Sequence, residues 1–262
     1  AVVAKLSPNL NSLLWSTYLG GSSWESGNSL QLSSNGDIYS VGGTTSKDFP
    51  STNGQLNPGY KGGITDGYIT KFSAPDYANP KSSYLGTSGY DQAYFVQLDI
   101  DDKVYVYGQT NGDYPVSSAQ YSNPNSGQFI HKLNSNLTTT EWSSVFGSGS
   151  GDVEISPTAF LVSDCYEIYI AGWGGVTNQN NASAANSSTN GFPITSDAYQ
   201  NQTNGSNFYL ALFTQNMTSL KYATFMGSLT GIGDHVDGGT SRFSKSGKVY
   251  HAVCAACGGN SN

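Results

Sequence analysis

The chain contains four successive units that share short motifs in the same order, and this internal repeat restricts the fold more than any other feature. Each unit opens with a strand-like segment that ends in glycine. These glycines are Gly20, Gly86, Gly147 and Gly227, at intervals of 66, 61 and 80 residues. A tyrosine in a second segment follows each of them, at Tyr39, Tyr105, Tyr169 and Tyr250. Repeats of this kind are typical of folds in which similar units stack on one another.

An aromatic–proline pair and a closing segment complete the units. The pairs are 49–50, 114–115 and 192–193, and the closing segments are 68–72, 129–133 and 208–212. Four motifs per unit predict four short strands separated by turns. The third interval is longer because the stretch 176–190, nearly all Asn, Ser, Thr and Ala, is inserted between Gly172 and Phe192. We predict that this insertion is an exposed, flexible loop.

The predicted strands are apolar on both faces. The segments 38–41 and 104–107 place apolar or aromatic side chains on each side of the chain, whereas a sheet covered on one face would alternate apolar with polar residues. The composition of 32 Gly, 13% aromatic and 11% charged residues also suits strands joined by tight turns. We therefore predict an all-β fold, a β-propeller built of four-stranded antiparallel blades. A solenoid is the alternative, although solenoid repeats are generally shorter.

The repeat also predicts how the chain is divided. Residues 1–6 match the closing segments, so we predict that they form the last strand of a preceding blade. Blades are then expected at 14–73, at 80–134, and at 141–214 with the inserted loop 176–190, followed by an incomplete blade at 220–262. Because propellers typically contain about 4–8 blades, residues 1–262 are predicted to be one β-propeller portion, with only part of the ring present.

Several of these segments resemble a known repeat. Residues 14–21, 35–39, 48–50 and 66–72 resemble the bacterial seven-bladed β-propeller repeat, and residues 234–243 and 251–259 look like a stretch of large cell-surface proteins of the Bacteroidota. The resemblance implies an exported protein, extracellular or on the cell surface, with no established enzymatic role. In that group a gliding-motility-associated C-terminal domain directs export, so the resemblance implies the type IX secretion machinery as a partner during export.

The charge and the hydropathy of the chain restrict the classes of partner that it can bind. The net charge is −7 and the pI is near 4.7, and no basic stripe is present, which argues against nucleic acid. No apolar run approaches the roughly 20 residues that a transmembrane helix needs, so we predict no transmembrane segment. Surface glycans and other cell-surface proteins are the candidate partners.

Acidic residues recur between the first two motifs of each unit. They are Glu25, Asp91, Asp152 with Glu154, and Asp234 with Asp237. Paired carboxylates could catalyse glycoside hydrolysis or bind calcium. Repetition in every unit favours a structural role instead, such as capping the N–H groups of turns. The segment containing Asp234 and Asp237 is longer than its counterparts, and these two acids are the candidate cation site, with calcium as the candidate ion.

The three cysteines suggest a disulfide. Cys254 and Cys257 are spaced as in redox and metal motifs, but a structural disulfide is the favoured interpretation for an exported protein. Cys165 is the third candidate and could bridge from the neighbouring unit. A zinc site would need further ligands, for which Cys165, His235 and His251 are the candidates. His131 and His251 are predicted to be packed strand residues.

These observations lead to one preferred hypothesis. We expect a non-enzymatic propeller module of an exported bacterial surface protein, which presents loops for adhesion, gliding or interaction. No catalytic residue and no cofactor is assigned. The alternatives are a carbohydrate-active propeller enzyme that uses paired carboxylates such as Asp234 and Asp237, and a purely structural spacer.

Overall fold

The structure, a computed structural model, describes residues 1–118, 120–175, 187–230, 234, 241–244 and 246–252 of the 262-residue chain. These residues form sixteen β-strands and one 3₁₀ turn at Gln215–Met217. The strands are β1 (Val2–Leu6), β2 (Leu13–Tyr18), β3 (Glu25–Leu32), β4 (Ile38–Thr44), β5 (Asp66–Phe72), β6 (Lys81–Leu85), β7 (Asp91–Leu98), β8 (Val104–Thr110), β9 (Gln128–Leu133), β10 (Thr140–Phe146), β11 (Ser156–Val162), β12 (Ile168–Trp173), β13 (Phe208–Phe213), β14 (Leu220–Met226), β15 (Ser241–Phe243) and β16 (Val249–His251). The described part of the chain is all-β, as predicted, and none of its helical residues form a span that could cross a membrane.

The strands form three four-stranded antiparallel sheets, which we call the first (β3–β6), second (β7–β10) and third sheet (β11–β14). Two two-stranded sheets precede and follow them in the chain, the N-terminal hairpin β1–β2 and the C-terminal hairpin β15–β16. Within each four-stranded sheet the strands are neighbours in chain order. Each sheet has four strands, as predicted, but only three of the four motifs are strands: the aromatic–proline pairs lie in the connections between the second and third strands, and the first strands carry no shared motif.

The sheets and the sequence repeat divide the chain at different places. Each four-stranded sheet begins and ends one strand later than the corresponding repeat unit. β6 lies in the unit 80–134 by sequence, but it pairs with β5, where Tyr84 stands opposite Tyr68. The reason is that a turn joins β5 to β6, whereas residues 86–90 carry the chain from the first sheet to the second. Residues 1–6 likewise pair with β2. The units 14–73, 80–134, 141–214 and 220–262 thus describe the sequence period, and each sheet takes its fourth strand from the following unit.

The second sheet is covered on both faces, by the first sheet and by the third. Every residue of β4 and β8 is buried. One apolar cluster lies between the first and second sheets and another between the second and third; the former includes Tyr39, Ile69, Val96 and Val106, and the latter Tyr107, Ile130, Phe160 and Ile170. The first strands of successive sheets also contact each other, β3 with β7, β7 with β11 and β11 with β15. The sheets therefore stack in chain order with their first strands adjacent.

A long connection covers the free edge of the fourth strand in each four-stranded sheet. The connection between the second and third strands donates backbone hydrogen bonds to that edge, from Thr52 N to Ser82 O, Ser117 N to Ser143 O and Thr195 N to Ala223 O. The aromatic–proline pairs fix the base of these connections, because Phe49, Tyr114 and Phe192 pack on Tyr68, Phe129 and Tyr209 of the third strands. Covering an edge in this way prevents pairing with other chains.

The insertion 176–190 departs in part from the prediction. Residues 176–186 lie outside the described residues. Ser187 and Thr189, however, are buried, and Ser187 Oγ donates to the carbonyl of Glu154 at 3.0 Å. The prediction of an exposed loop was wrong for Ser187 and Thr189, because the hydroxyl of Ser187 satisfies a backbone carbonyl at the entry to the third sheet and that of Thr189 pairs with the hydroxyl of Thr203.

Candidate functional site

The repeated acids lie where the chain passes from one sheet to the next. We call each such place an acidic junction: the glycine after the last strand of one sheet, and the acid at the entry to the following sheet. The four junctions are Gly20 with Glu25, Gly86 with Asp91, Gly147 with Glu154, and Gly227 with Asp234. At each one an oxygen of the acid lies where the β-carbon of a larger residue would come close to it, so the glycine lets the acidic side chain approach the backbone.

Three of these acids cap the turn that follows the glycine. Asp91 accepts hydrogen bonds from Thr87 N at 2.6 Å and from Thr87 Oγ1 at 2.8 Å. Glu154 accepts from Ser148 N at 3.1 Å, and Asp234 accepts from Ser228 N at 3.0 Å. The geometry matches the capping role that the repetition suggested. Buried backbone N–H groups need such partners.

Glu25 follows a different pattern. Its carboxylate accepts from the hydroxyl of Thr44 at 2.9 Å and from that of Ser46. Thr44 is the last residue of the second strand of the same sheet, and Ser46 follows it. Glu25 therefore joins β3 to the end of β4 and does not cap the turn after Gly20.

Asp234 is buried, with 3% of its surface exposed. Besides Ser228 N, its Oδ2 accepts from Nδ2 of Asn207 at 2.8 Å. Asp237, its partner in the candidate cation site, lies outside the described residues. The cation site at Asp234 and Asp237 therefore stays a prediction, while the contacts of Asp234 are those of a structural residue.

Asp66 at the start of β5 belongs to the same junction as Asp91. Both acids are fully buried, and burial raises the pKa of each, that of Asp66 to about 7. Burial also raises the pKa of Glu154. A carboxylate loses its hydration in such places, so the protonated form is favoured.

Sequence reasoning passed over Asp66, although a signal was present. Asp66 lies six residues before Phe72 at the end of β5, and Asn207 lies six residues before Phe213 at the end of β13. Aligning the third strands by these two phenylalanines places a polar residue at the same point of two sheets. The predicted closing segments begin at residues 68 and 208, so both polar residues fall just outside them.

The described histidines are packed strand residues, as predicted. His131 is buried in β9, with Nδ1 2.9 Å from the hydroxyl of Tyr114 and Nε2 2.8 Å from that of Thr140. Burial lowers the pKa of His131 to about 4, so it is neutral at pH 7. His251 packs edge-on against Phe208. His235 lies outside the described residues.

Cys165 carries a free thiol on the exposed tip of the β11–β12 hairpin. The structure therefore gives no support to a disulfide at Cys165. Cys254 and Cys257 lie outside the described residues, and their pairing stays a prediction. Among the residues that the structure describes, no three His, Cys, Asp or Glu side chains are grouped as a metal site would require.

An open groove lies beside the first of these junctions. It has a volume of about 260 Å³ and its lining includes Trp24, Thr45, Thr65 and Gln92. Trp24 is 84% exposed, which is unusual for so large an apolar side chain. An indole beside hydroxyl and amide groups offers the stacking and hydrogen-bonding partners that a polar ring-shaped ligand needs.

Comparisons of the sequence with family models and with curated proteins matched none of them.

Proposed function

We propose that this chain is a portion of a β-propeller that serves as a non-enzymatic module of an exported bacterial cell-surface protein and presents loops for adhesion, gliding or interaction. The proposal that the chain presents loops rests on the three long connections between second and third strands, whose bases are fixed. Each is held by an aromatic pair and by hydrogen bonds to a strand edge, so the exposed residues of these connections are presented on a rigid frame. Binding residues are disproportionately found on loops of this kind.

The exposure of equivalent residues supports the propeller part. Leu32 of β3, Leu98 of β7 and Val162 of β11 occupy the same register position, opposite Ile38, Val104 and Ile168. Leu32 is 60% exposed, but Leu98 and Val162 are 8% and 0% exposed. The preceding sheet covers the latter two. A further sheet packed in the same way against β3 would cover Leu32, as a ring of blades requires.

The contacts of the acids support a non-enzymatic role. Glycoside hydrolysis needs two carboxylates that face a substrate. Glu154 and Asp234 are instead buried and hydrogen-bonded to turns. The role of the acids at these two junctions is therefore architectural.

The resemblance to bacterial surface proteins supports the export part. It suggests the type IX secretion machinery as the route and the cell surface or the medium as the location. Antibody labelling of intact cells of the source organism tests this part. Labelling only after the cells are lysed would overturn it.

Trp24 and its groove suggest glycans as one class of ligand. The test is binding of the full chain to an array of bacterial and host glycans, repeated with Trp24→Ala and with Tyr18→Ala. Tyr18 is an equally exposed aromatic residue, 89%, but lies on β2 and not in the groove. We expect Trp24→Ala to reduce binding at least tenfold and Tyr18→Ala to leave it unchanged. Equal binding by both variants would overturn the glycan assignment, and hydrolysis of any array glycan would overturn the non-enzymatic role.

A further inference from the structure

Asp66 and Asp91 meet at the junction between the first and second sheets. Asp66 begins β5 and Asp91 begins β7, and both side chains are completely buried. A β-carbon placed on Gly86 would lie 2.5 Å from Oδ1 of Asp66 and 3.2 Å from Oδ2 of Asp91. Both carboxylates therefore lie against the same glycine.

Each carboxylate uses one oxygen and leaves the other without a partner. Oδ2 of Asp66 accepts the backbone N–H of Lys61, and Oδ2 of Asp91 accepts from Thr87. Oδ1 of Asp66 and Oδ1 of Asp91 are buried and have no hydrogen-bond partner. Two buried negative charges side by side, each with an unsatisfied oxygen, would be strongly unfavourable.

At the equivalent position after the third sheet, an amide replaces one of the two acids, and it supplies the hydrogen-bond donor that the other acid needs. Asn207 stands at the position of Asp66, and Asp234 stands at that of Asp91. Nδ2 of Asn207 donates to Oδ2 of Asp234 at 2.8 Å. Asp66 can supply an equivalent donor only if its carboxyl group carries a proton.

We propose that Asp66 and Asp91 bind one proton between them, so that a carboxylic acid of one donates to the carboxylate of the other and the contact between the first and second sheets depends on pH. Two carboxylates that share a site are known to behave in this way. No bond other than the O–H bond changes, and the proton comes from solvent.

The groups around the pair favour the bound proton. Burial is the main cause that raises the pKa of both acids, and the charge of Asp91 raises that of Asp66 further. Lys61, on the connection before β5, is the positively charged group that opposes this shift. The remaining titratable neighbours are the phenols Tyr60, Tyr84 and Tyr114, whose raised pKa values keep them neutral.

The sign of the effect follows from where the proton is bound. The pKa of Asp66 rises from 3.8 to about 7 in the folded chain. Between these values the native state holds a proton that the unfolded chain has released. The free energy of unfolding therefore falls as pH rises through this window, and the loss is complete above the folded pKa.

The test compares the thermal unfolding of the full chain with that of Asp66→Asn from pH 4.5 to 8.5. The amide donates at every pH, as Asn207 does. We expect the Tm of Asp66→Asn to exceed that of wild type at pH 8 by about 2–4 °C or more, and this difference to shrink steadily towards pH 5. His131 also changes its protonation in this pH range, but it is present in both proteins, so its effect on Tm cancels in the difference between variant and wild type. Asp113→Asn removes an exposed carboxylate and is the matched control, whose Tm at pH 8 should stay close to that of wild type.

A second measurement applies even if one variant is unstable. Infrared spectra of the wild type should retain the band of a protonated carboxyl group up to about pH 7, and Asp66→Asn or Asp91→Asn should remove it. A Tm difference that is constant with pH, together with a spectrum lacking this band, would overturn the proposal. So would a calcium-dependent rise of the wild-type Tm at pH 8 that Asp66→Asn abolishes, because the site would then hold a metal ion.

Discussion

Asn207 donates a hydrogen bond of 2.8 Å from Nδ2 to Oδ2 of Asp234, and the same oxygen accepts the backbone N–H of Ser228 at 3.0 Å. Both side chains are buried. The carboxylate thus joins the third strand of the third sheet to the turn that leaves β14. One side chain satisfies two donors at the point where the chain leaves the sheet.

Replacing this carboxylate should therefore destabilise the fold. We expect Asp234→Ala to lower the free energy of unfolding by about 1–3 kcal/mol, because the Asn207 amide and the Ser228 N–H both lose an acceptor. Nδ2 of Asn207 keeps its hydrogen bond to the carbonyl of Ser228. Urea unfolding at pH 7 measures the change. Asp197→Ala, which removes an exposed acid before β13, should change stability by less than about 0.5 kcal/mol. Equal effects of the two substitutions would show that the hydrogen bonds of Asp234 contribute little.

The glycine at a junction should tolerate no side chain. Gly86→Ala would place its β-carbon 2.5 Å from Oδ1 of Asp66, and such overpacking typically costs about 1–3 kcal/mol. Gly59 offers a matched control, because nothing lies within 4 Å of its added β-carbon. Gly59→Ala should be neutral or should stabilise by about 0.4–1 kcal/mol through the unfolded chain. Urea unfolding of both variants decides, and a Gly86→Ala variant as stable as Gly59→Ala would contradict the close approach.

The sequence predicted the strands well because their signals are local. Glycine-terminated segments, tyrosine-bearing segments and closing segments all became strands, and the aromatic–proline pairs became anchors of the long connections. Which strands pair with one another was harder to predict from the sequence. β6 belongs to the first sheet because residues 73–80 form a turn that brings it back beside β5, whereas residues 86–90 lead to the second sheet. The repeat period alone does not show which of these two connections stays within a sheet.

The site was less predictable than the strands, for a physical reason. The acid Asp91 could be found by its repetition, and so could its capping role. Its neighbour Asp66 comes from a strand that precedes it by 25 residues, and their contact depends on how two sheets stack. Burial at Ser187 was missed for the same reason, because a polar composition does not reveal a carbonyl that needs a donor.

His131 should make the fold sensitive to acid. Burial lowers its pKa to about 4, so between pH 6.5 and 4 the unfolded chain binds a proton that the native state does not. The free energy of unfolding should fall as pH decreases through this window, by on the order of 3 kcal/mol. His131→Thr copies the residue at the equivalent position of the first sheet, Thr70, and should remove this slope while lowering stability at pH 7. Urea unfolding at pH 7 and pH 4.5 measures both effects, and an unchanged slope in the variant would assign the titration to another group.

Leu10 and Leu137 form a matched pair for testing how sheets stack. Both occupy the same place in a hairpin, at φ 59°, with the backbone N–H bonded to the third residue before it. Leu137 is fully buried against the first sheet, and its carbonyl accepts from Leu56 N at 3.1 Å. Leu10 is 73% exposed. The backbone strain of a substitution is therefore the same at both sites, and only the packing differs.

Leu137→Ala should lower the free energy of unfolding by about 2–5 kcal/mol, as expected for a large-to-small change in a core. Leu10→Ala should change it by less than about 0.5 kcal/mol. Chemical denaturation of both variants provides the comparison. A large loss for Leu10→Ala would mean that another surface covers this hairpin in solution, as a further sheet would in a closed ring. Equal and small losses would instead show that the hairpin of the second sheet does not hold the first sheet in place.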